Sequence, residues 1–368
     1  MNFNDYISDI AEDSQVNFLG FATTPWHAHG IVACLSYLKS LSVNCSGYIF
    51  IYPHAQTGYA INETIFYNIG DFIIKKIEKE KFSYLGYLQK MALSLKYILR
   101  RKPKKIKRTI FFVEPWTIDS YHCSLVTGNI KGVHICHIVY DEGVSTYFPI
   151  KLKSHGLASR LINFYTKAVT YGIGYKYLTR TKDYHNAKLF LNTGRTIVVN
   201  DLILPYYIKA LKQQSLPMGN IDQLPTQTVL ICTTAWERRE IEDMADVKVI
   251  KTVADELIKK GYNVIFKRHP RDLQFSVLYN EYTELSSSGI SLESLLAFSN
   301  TMPIAVLSIS STILVTCRLF FNIKCYNLSE LLDKDKIGRY VEETTAFQEA
   351  FGNYVQHPKN LSELLQHF

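Results

Sequence analysis

The chain has 368 residues, of which 47% are apolar, 20% charged and 13% aromatic. That balance excludes a fibrous or disordered protein, and the length fits two domains of ~150–200 residues each. The net charge of +8 comes from 41 Lys and Arg against 33 Asp and Glu. The 7 cysteines form no CxxC pair and mostly sit in apolar runs, which argues for a reducing compartment and against a disulfide framework or structural zinc.

The first fifteen residues are polar and acidic, unlike a secretory signal. No run approaches the roughly 20 apolar residues of a spanning helix. The expectation is a cytoplasmic protein, at most resting on the inner face of an anionic membrane. Residues 16–23 (VNFLGFAT) read as a buried parallel strand. Thr24 and Pro25 then supply an N-cap and a first helical position, so a helix is expected to about residue 41. Residues 46–52 form a second strand, and 62–80 read as mixed helix and loop. Apolar residues at helical spacing over 81–99 predict a helix. It leads into Arg100, Arg101, Lys102, Lys104, Lys105, Lys107 and Arg108, a cluster that attracts polyanions or an anionic membrane surface.

A strand at 109–113 follows, then a helix at 118–125 and a strand at 132–140 that runs into Asp141. A helix at 157–169 and a strand at 196–199 close the first half. The prolines, glycine and polar residues of 215–227 mark a linker. Beyond it come strands at 228–233, 262–267, 304–307 and 322–326, with helices at 240–260, 291–298 and 312–320. Strands alternating with helices imply a parallel sheet with crossovers. The fold class is therefore α/β, with two facing Rossmann-like domains over 1–214 and 228–368. The last helix is free in this reading to pack back on the first domain.

Three polar clusters follow strand ends, where ligands of open α/β sheets bind. They are Asp141-Glu142-Gly143, Lys267-Arg268-His269-Pro270, and the segment from Ser308 to Thr312. Ser310 and Ser311 open a helix, whose free N–H groups suit a phosphate, and Lys267 and His269 add charge. A carboxylate on the facing domain can take a proton from an incoming hydroxyl, and a histidine can protonate a departing phosphate oxygen. The transition state would resemble an oxocarbenium ion. Together these groups describe sugar transfer from a nucleotide donor.

YDEG, KRHP and the Ser-Ser pair, in this order, resemble the bacterial sialyltransferases with D/E-D/E-G and HP motifs. The lipooligosaccharide sialyltransferases and capsular polysialyltransferases are among them. The opening strand followed by Thr24-Pro25-Trp26 is similar to the strand-TPL start of the lipooligosaccharide group. Residues 291–296 look like the segment that supplies a ribose-binding glutamate. The resemblance implies a GT-B fold, CMP-sialic acid as donor, inversion at the anomeric carbon, and neither metal nor cofactor. It implies Asp141 as general base, His269 as general acid or phosphate partner, Ser310 and Ser311 on the phosphate, Glu293 on the ribose, and Lys267 beside the nucleotide. Some capsular enzymes carry Glu where this chain has Asp141, which leaves the subgroup open.

Glu142, Gly143, Thr24 and Trp236 complete the expected substrate-binding set, although Trp236 is equally well read as core packing. Bland alternatives stand beside the others: a strand-end turn at Asp141, a capped strand end at His269, helix capping at Ser310 and Ser311, a solvent-facing helix position at Glu293. The expected acceptor is an anionic glycan or glycolipid held by the basic run, which has membrane docking as its alternative role; no nucleic acid is expected. The rival functions are a different cytidine-nucleotide transferase, such as a Kdo transferase or polyol-phosphate polymerase, and a non-catalytic polyanion-binding protein.

Overall fold

The computed structural model describes residues 13–52, 61, 63–67, 69–77, 107–113, 132–139, 195–198, 200–212, 224–234, 236, 240–269, 272–285 and 291–368, with Tyr6, Ile10 and Ala92. The chain divides into two compact units, the first ending at Gln214 and the second resuming at Ser215.

The first unit is a parallel sheet of β1 (Phe18–Ala22), β2 (Gly47–Ile51), β3 (Phe72–Lys76), β4 (Arg108–Val113), β5 (Val133–Val139) and β6 (Arg195–Val198), in the order β3-β2-β1-β4-β5-β6. This is the doubly wound Rossmann order. Every residue of β1 and β2 is buried, as in a parallel sheet covered on both faces. Gly47 is required where β2 starts. Its φ is +149°, and a Cβ there would lie 2.1 Å from the Phe18 carbonyl oxygen, so only glycine lets β2 lie beside β1 at this point.

Helix α1 (Pro25–Ser40) starts as the sequence predicts. Thr24 is extended and its hydroxyl accepts the His27 N–H at 3.2 Å, with Pro25 in the first turn. Most of α1 is buried, because it packs on a second helix, α2 (Asn200–Lys212). Tyr207 of α2 lies against Trp26, ring centroids 4.7 Å apart, and donates its hydroxyl to the Trp26 carbonyl at 3.0 Å.

Helix α2 is absent from the sequence reading, because Pro205 sits inside it and proline argues against a helix interior. The reading of 62–80 as mixed helix and loop holds for a short 3-10 helix at Glu63–Phe66 and is corrected at Phe72–Lys76 by strand β3. It is an edge strand whose residues are all half-buried or exposed, so it lacks the continuous apolar run of its neighbours. The helices expected at 81–99, 118–125 and 157–169 fall outside the described residues or, at Ala92, touch them at one position.

The second unit repeats the plan. Its strands are β7 (Thr228–Cys232), β8 (Asn263–Lys267), β9 (Thr283–Glu284), β10 (Ala305–Ser308) and β11 (Lys324–Asn327), parallel and in the order β11-β10-β7-β8-β9. Around it lie α3 (Ala245–Lys259), α4 (Leu292–Phe298), α5 (Thr312–Phe321), α6 (Tyr340–Phe351) and α7 (Leu361–Leu365). Helix α3 buries Ile250, Val253, Ala254 and Leu257, a stripe at helical spacing.

The last helix finds its buried partners in this unit. Leu364 belongs to the same core as Leu257, and the Phe368 carbonyl accepts the Tyr262 hydroxyl. The sequence alone leaves it free to reach the first domain. Among the described residues no helix is long and apolar enough to cross a membrane. Five of the six described cysteines are buried.

Candidate functional site

In the second unit the strand order reverses between β7 and β10, and an open sheet of this kind takes its ligand beyond the carboxyl ends of the strands at that point. A partly open cavity of about 180 Å³ lies there. Cys232 and Thr233 line it from the end of β7, Lys267, Arg268 and His269 from the end of β8. Ser291, Leu292 and Glu293 contribute from the start of α4, and Ser311, Thr312 and Ile313 from the start of α5.

The turn after β8 is fixed by its neighbour. The His269 N–H donates to Thr233 Oγ1 at 3.0 Å, the Thr233 N–H donates to the Lys267 carbonyl at 3.1 Å, and the Asp272 N–H returns to the His269 carbonyl at 2.8 Å. Arg268 turns to Glu284 of β9, Nε to Oε1 3.2 Å. Lys267 is pulled down from the usual lysine range by burial, with Cys232 and Glu293 acting in the opposite sense. Burial pushes the Cys232 thiol up to about 12, so it stays protonated and packs as a small wall residue.

Glu293 opens α4 behind the N-cap Ser291, whose hydroxyl accepts the Ser294 N–H at 3.1 Å. It is buried, and burial raises its carboxyl above the usual range. The Thr316 hydroxyl of α5 donates to its Oε1 at 2.8 Å. Glu293 therefore ties α4 to α5, and is not the solvent-facing residue its helix position allowed.

The step from β10 into α5 is unusual. Ser308 Oγ donates to the Cys232 carbonyl at 2.7 Å. Ser310 then adopts φ +46°, a left-handed conformation that costs a non-glycine residue about 1–2 kcal/mol. Its N–H donates to Asn327 Oδ1 at 2.9 Å. Its hydroxyl is buried and has no hydrogen-bond partner among the described residues. Ser311 is the N-cap of α5 but makes no side-chain capping bond among the described residues, so the helix start is open to an incoming acceptor such as a phosphate.

The structure thus brings Lys267, His269, Glu293 and Ser311 to one cavity. Ser310 is next to it in sequence but is not one of the lining residues; Thr312 lines it instead. Trp236 is also elsewhere. It is 8% exposed, stacked on Tyr340 with centroids 4.5 Å apart and planes at 13°, within the hydrophobic core of this unit. This corrects its placement at the substrate: a flat ring enclosed by core packing presents little surface to a ligand. Thr24 likewise uses its oxygen to cap α1.

Arg108 leaves the expected basic surface. It lies in β4, and its guanidinium donates to the Val16 carbonyl at 3.0 Å and the Ile10 carbonyl at 2.7 Å, because a charged group at a strand start can satisfy main-chain carbonyls nearby. Lys107 is exposed. Arg100, Arg101, Lys102, Lys104 and Lys105, and Asp141, Glu142 and Gly143, lie outside the described residues. Sequence reasoning missed Thr233 and Asn327. A single polar residue at the end of an apolar strand was their only signal.

Two Rossmann-like parallel sheets, with a cation-lined cavity at the switch point of the second, make the α/β fold of the GT-B kind. The family model for alpha-2,8-polysialyltransferase (POLYST) matches residues 18–328, and the chain belongs to that family. It is a glycosyltransferase of the sialyltransferase kind, with a nucleotide-sugar donor and a glycan acceptor. No curated protein sequence matches it. Among solved structures it is similar to the UDP-GlcNAc 2-epimerase of Methanocaldococcus jannaschii, at 12% identity over 95% of this chain and 90% of that one, TM-score 0.55. That likeness shows the fold. It is also similar to an alpha/beta-galactoside alpha-2,3-sialyltransferase of Photobacterium phosphoreum, at 14% identity over 94% and 98%, TM-score 0.44.

Proposed function

We propose that the chain transfers sialic acid from CMP-sialic acid to a hydroxyl of an anionic bacterial surface glycan, with inversion and without a metal. The observation that carries this reading is the second-unit cavity, where Lys267, His269, Glu293 and the open start of α5 line one space. The CMP phosphate would lie at the N–H groups of Ser311 and Thr312, where a helix start favours an anion. His269 and Lys267 flank it, and Glu293 reaches the ribose hydroxyls.

In the reaction the acceptor oxygen bonds to the anomeric carbon as its proton passes to Asp141. The bond from that carbon to the phosphate oxygen breaks, and the electron pair leaves with CMP. His269 donates a proton or hydrogen bond to the departing oxygen. The positive charge of Lys267 offsets the charge that builds on the phosphate, a role that a metal fills in other transferases. The roles of Asp141 and its neighbours Glu142 and Gly143 rest on the sequence resemblance. The basic run from Arg100 to Lys107 would face the anionic acceptor, a polysialic acid chain or a lipooligosaccharide, or hold the enzyme on the inner membrane surface.

Calorimetric titration with CMP and a turnover assay test this together. Asp141→Asn is expected to keep CMP affinity and lower turnover at least ~100-fold, the scale of a lost general base, and EDTA is expected to leave the rate unchanged. An Asn variant running at the parental rate removes Asp141 from the mechanism. Hydrolysis of CMP-Kdo or CDP-glycerol in preference to CMP-sialic acid replaces the donor.

A further inference from the structure

Asn327 is the last residue of β11 and pairs in register with Ser308 at the end of β10. It is fully buried. Its Oδ1 accepts two backbone N–H groups, from Ser310 at 2.9 Å and from Ser329 at 3.2 Å. Its Nδ2 lies 3.3 Å from His357 Nδ1, and its own N–H donates to the Gln356 carbonyl at 2.8 Å. The side chain is therefore held at both ends and cannot turn away from Ser310.

Without this acceptor the Ser310 N–H would be a buried donor lacking a partner, in a residue already in the left-handed region. Such a turn persists only when its surroundings fix it. Any relaxation there moves Ser311 and Thr312, the first two of the three residues at the start of α5 that line the cavity. Aspartate would accept the same N–H groups but would bring a charge into a fully buried place and lose the donor to His357.

We propose that Asn327 is a positioning residue for the donor's phosphate: its side-chain carbonyl fixes the turn at Ser310 that sets Ser311 and Thr312 at the cavity wall. The inference rests on the reading that the CMP phosphate lies at those two residues. Asn327 touches neither the nucleotide nor the reacting atoms, so its effect falls on the phosphate and not on the cytidine.

The test is titration of the full-length chain with CMP and with cytidine, whose affinity ratio isolates the phosphate. Asn327→Ala is expected to lower that ratio about tenfold while cytidine affinity stays within about twofold. Adding Ser310→Gly to Asn327→Ala is expected to restore part of the ratio, because glycine takes the left-handed turn without strain. A ratio unchanged in Asn327→Ala, or CMP and cytidine weakening together, overturns the inference and leaves Asn327 a cap of the turn after β11. Where Asn327→Ala does not fold, Asn327→Ser keeps a shorter acceptor; a ratio lowered about threefold supports the inference and an unchanged ratio overturns it. A wild-type chain that binds cytidine as well as CMP overturns the phosphate placement itself, and this inference with it.

Discussion

Thr316→Val isolates the contact that holds Glu293. The substitution keeps the shape of a buried side chain and deletes one hydroxyl, which lies 2.8 Å from Glu293 Oε1 and, as the longer alternative for its single proton, 3.2 Å from the Ile313 carbonyl. A hydrogen bond to a charged group contributes about 1.5–3 kcal/mol, and a neutral one about 0.5–1.5 kcal/mol. The cost of Thr316→Val should therefore depend on whether Glu293 is ionised. Burial raises the folded Glu293 pKa above the ordinary 4.5, so the folded state keeps the proton longer than the unfolded state.

Between the unfolded and folded pKa the native state binds more protons, and stability falls as pH rises through that window. Loss of the Thr316 donor raises the folded pKa further and extends the window upward. The difference between parent and variant should be small and constant at low pH, grow as pH rises through the added span between the two folded pKa values, and level off above it. Urea unfolding at several pH values reads this directly, with an unchanged slope showing that the unfolded state is the same. In a Glu293→Gln background the penalty should drop to that of a neutral bond and lose its pH dependence. A penalty equal at all pH values in the parent, and of the same size in the Glu293→Gln background, would show that Thr316 acts through packing or the Ile313 carbonyl and not through Glu293.

Three further outcomes follow from the same contacts. Gly47→Ala puts a Cβ 2.1 Å from the Phe18 carbonyl oxygen, and is expected to destabilise the first unit by about 2 kcal/mol or more, seen as a lower urea midpoint. Trp236→Ala empties core space beside Tyr340 and is expected to cost about 3–5 kcal/mol, while CMP affinity of the folded protein, measured by calorimetry, holds; a selective loss of CMP binding would return Trp236 to the ligand. Arg108→Ala breaks two bonds to main-chain carbonyls and should lower the melting temperature without changing acceptor KM, whereas Lys107→Ala should leave the melting temperature in place.

Much of the site was legible because its signals are local. Lys267 and His269 follow an apolar strand, Ser311 precedes an apolar helix, and Ser291 with Glu293 forms a helix start; chemistry and position coincide within a few residues. Asn327 carried no such signal, because its partner Ser310 is 17 positions away. Trp236 had two equal readings for the opposite reason: adjacency to a strand end allowed the ligand as well as the core, and packing against Tyr340 puts it in the core.

The chain's own pattern determined the parallel α/β class, the position of most strands, the helix start at Thr24 and the residues gathered beyond β8 and β10. Those features depend on spacing and capping between near neighbours, which are written in sequence order. Tertiary structure alone decided the strand order that puts β7 beside β10, the burial of α1 under a proline-containing α2, the edge placement of β3, and the strained Ser310 turn held by Asn327. Each of these is set by which distant segments bury one another, and burial between segments far apart in the chain leaves no periodicity in either of them.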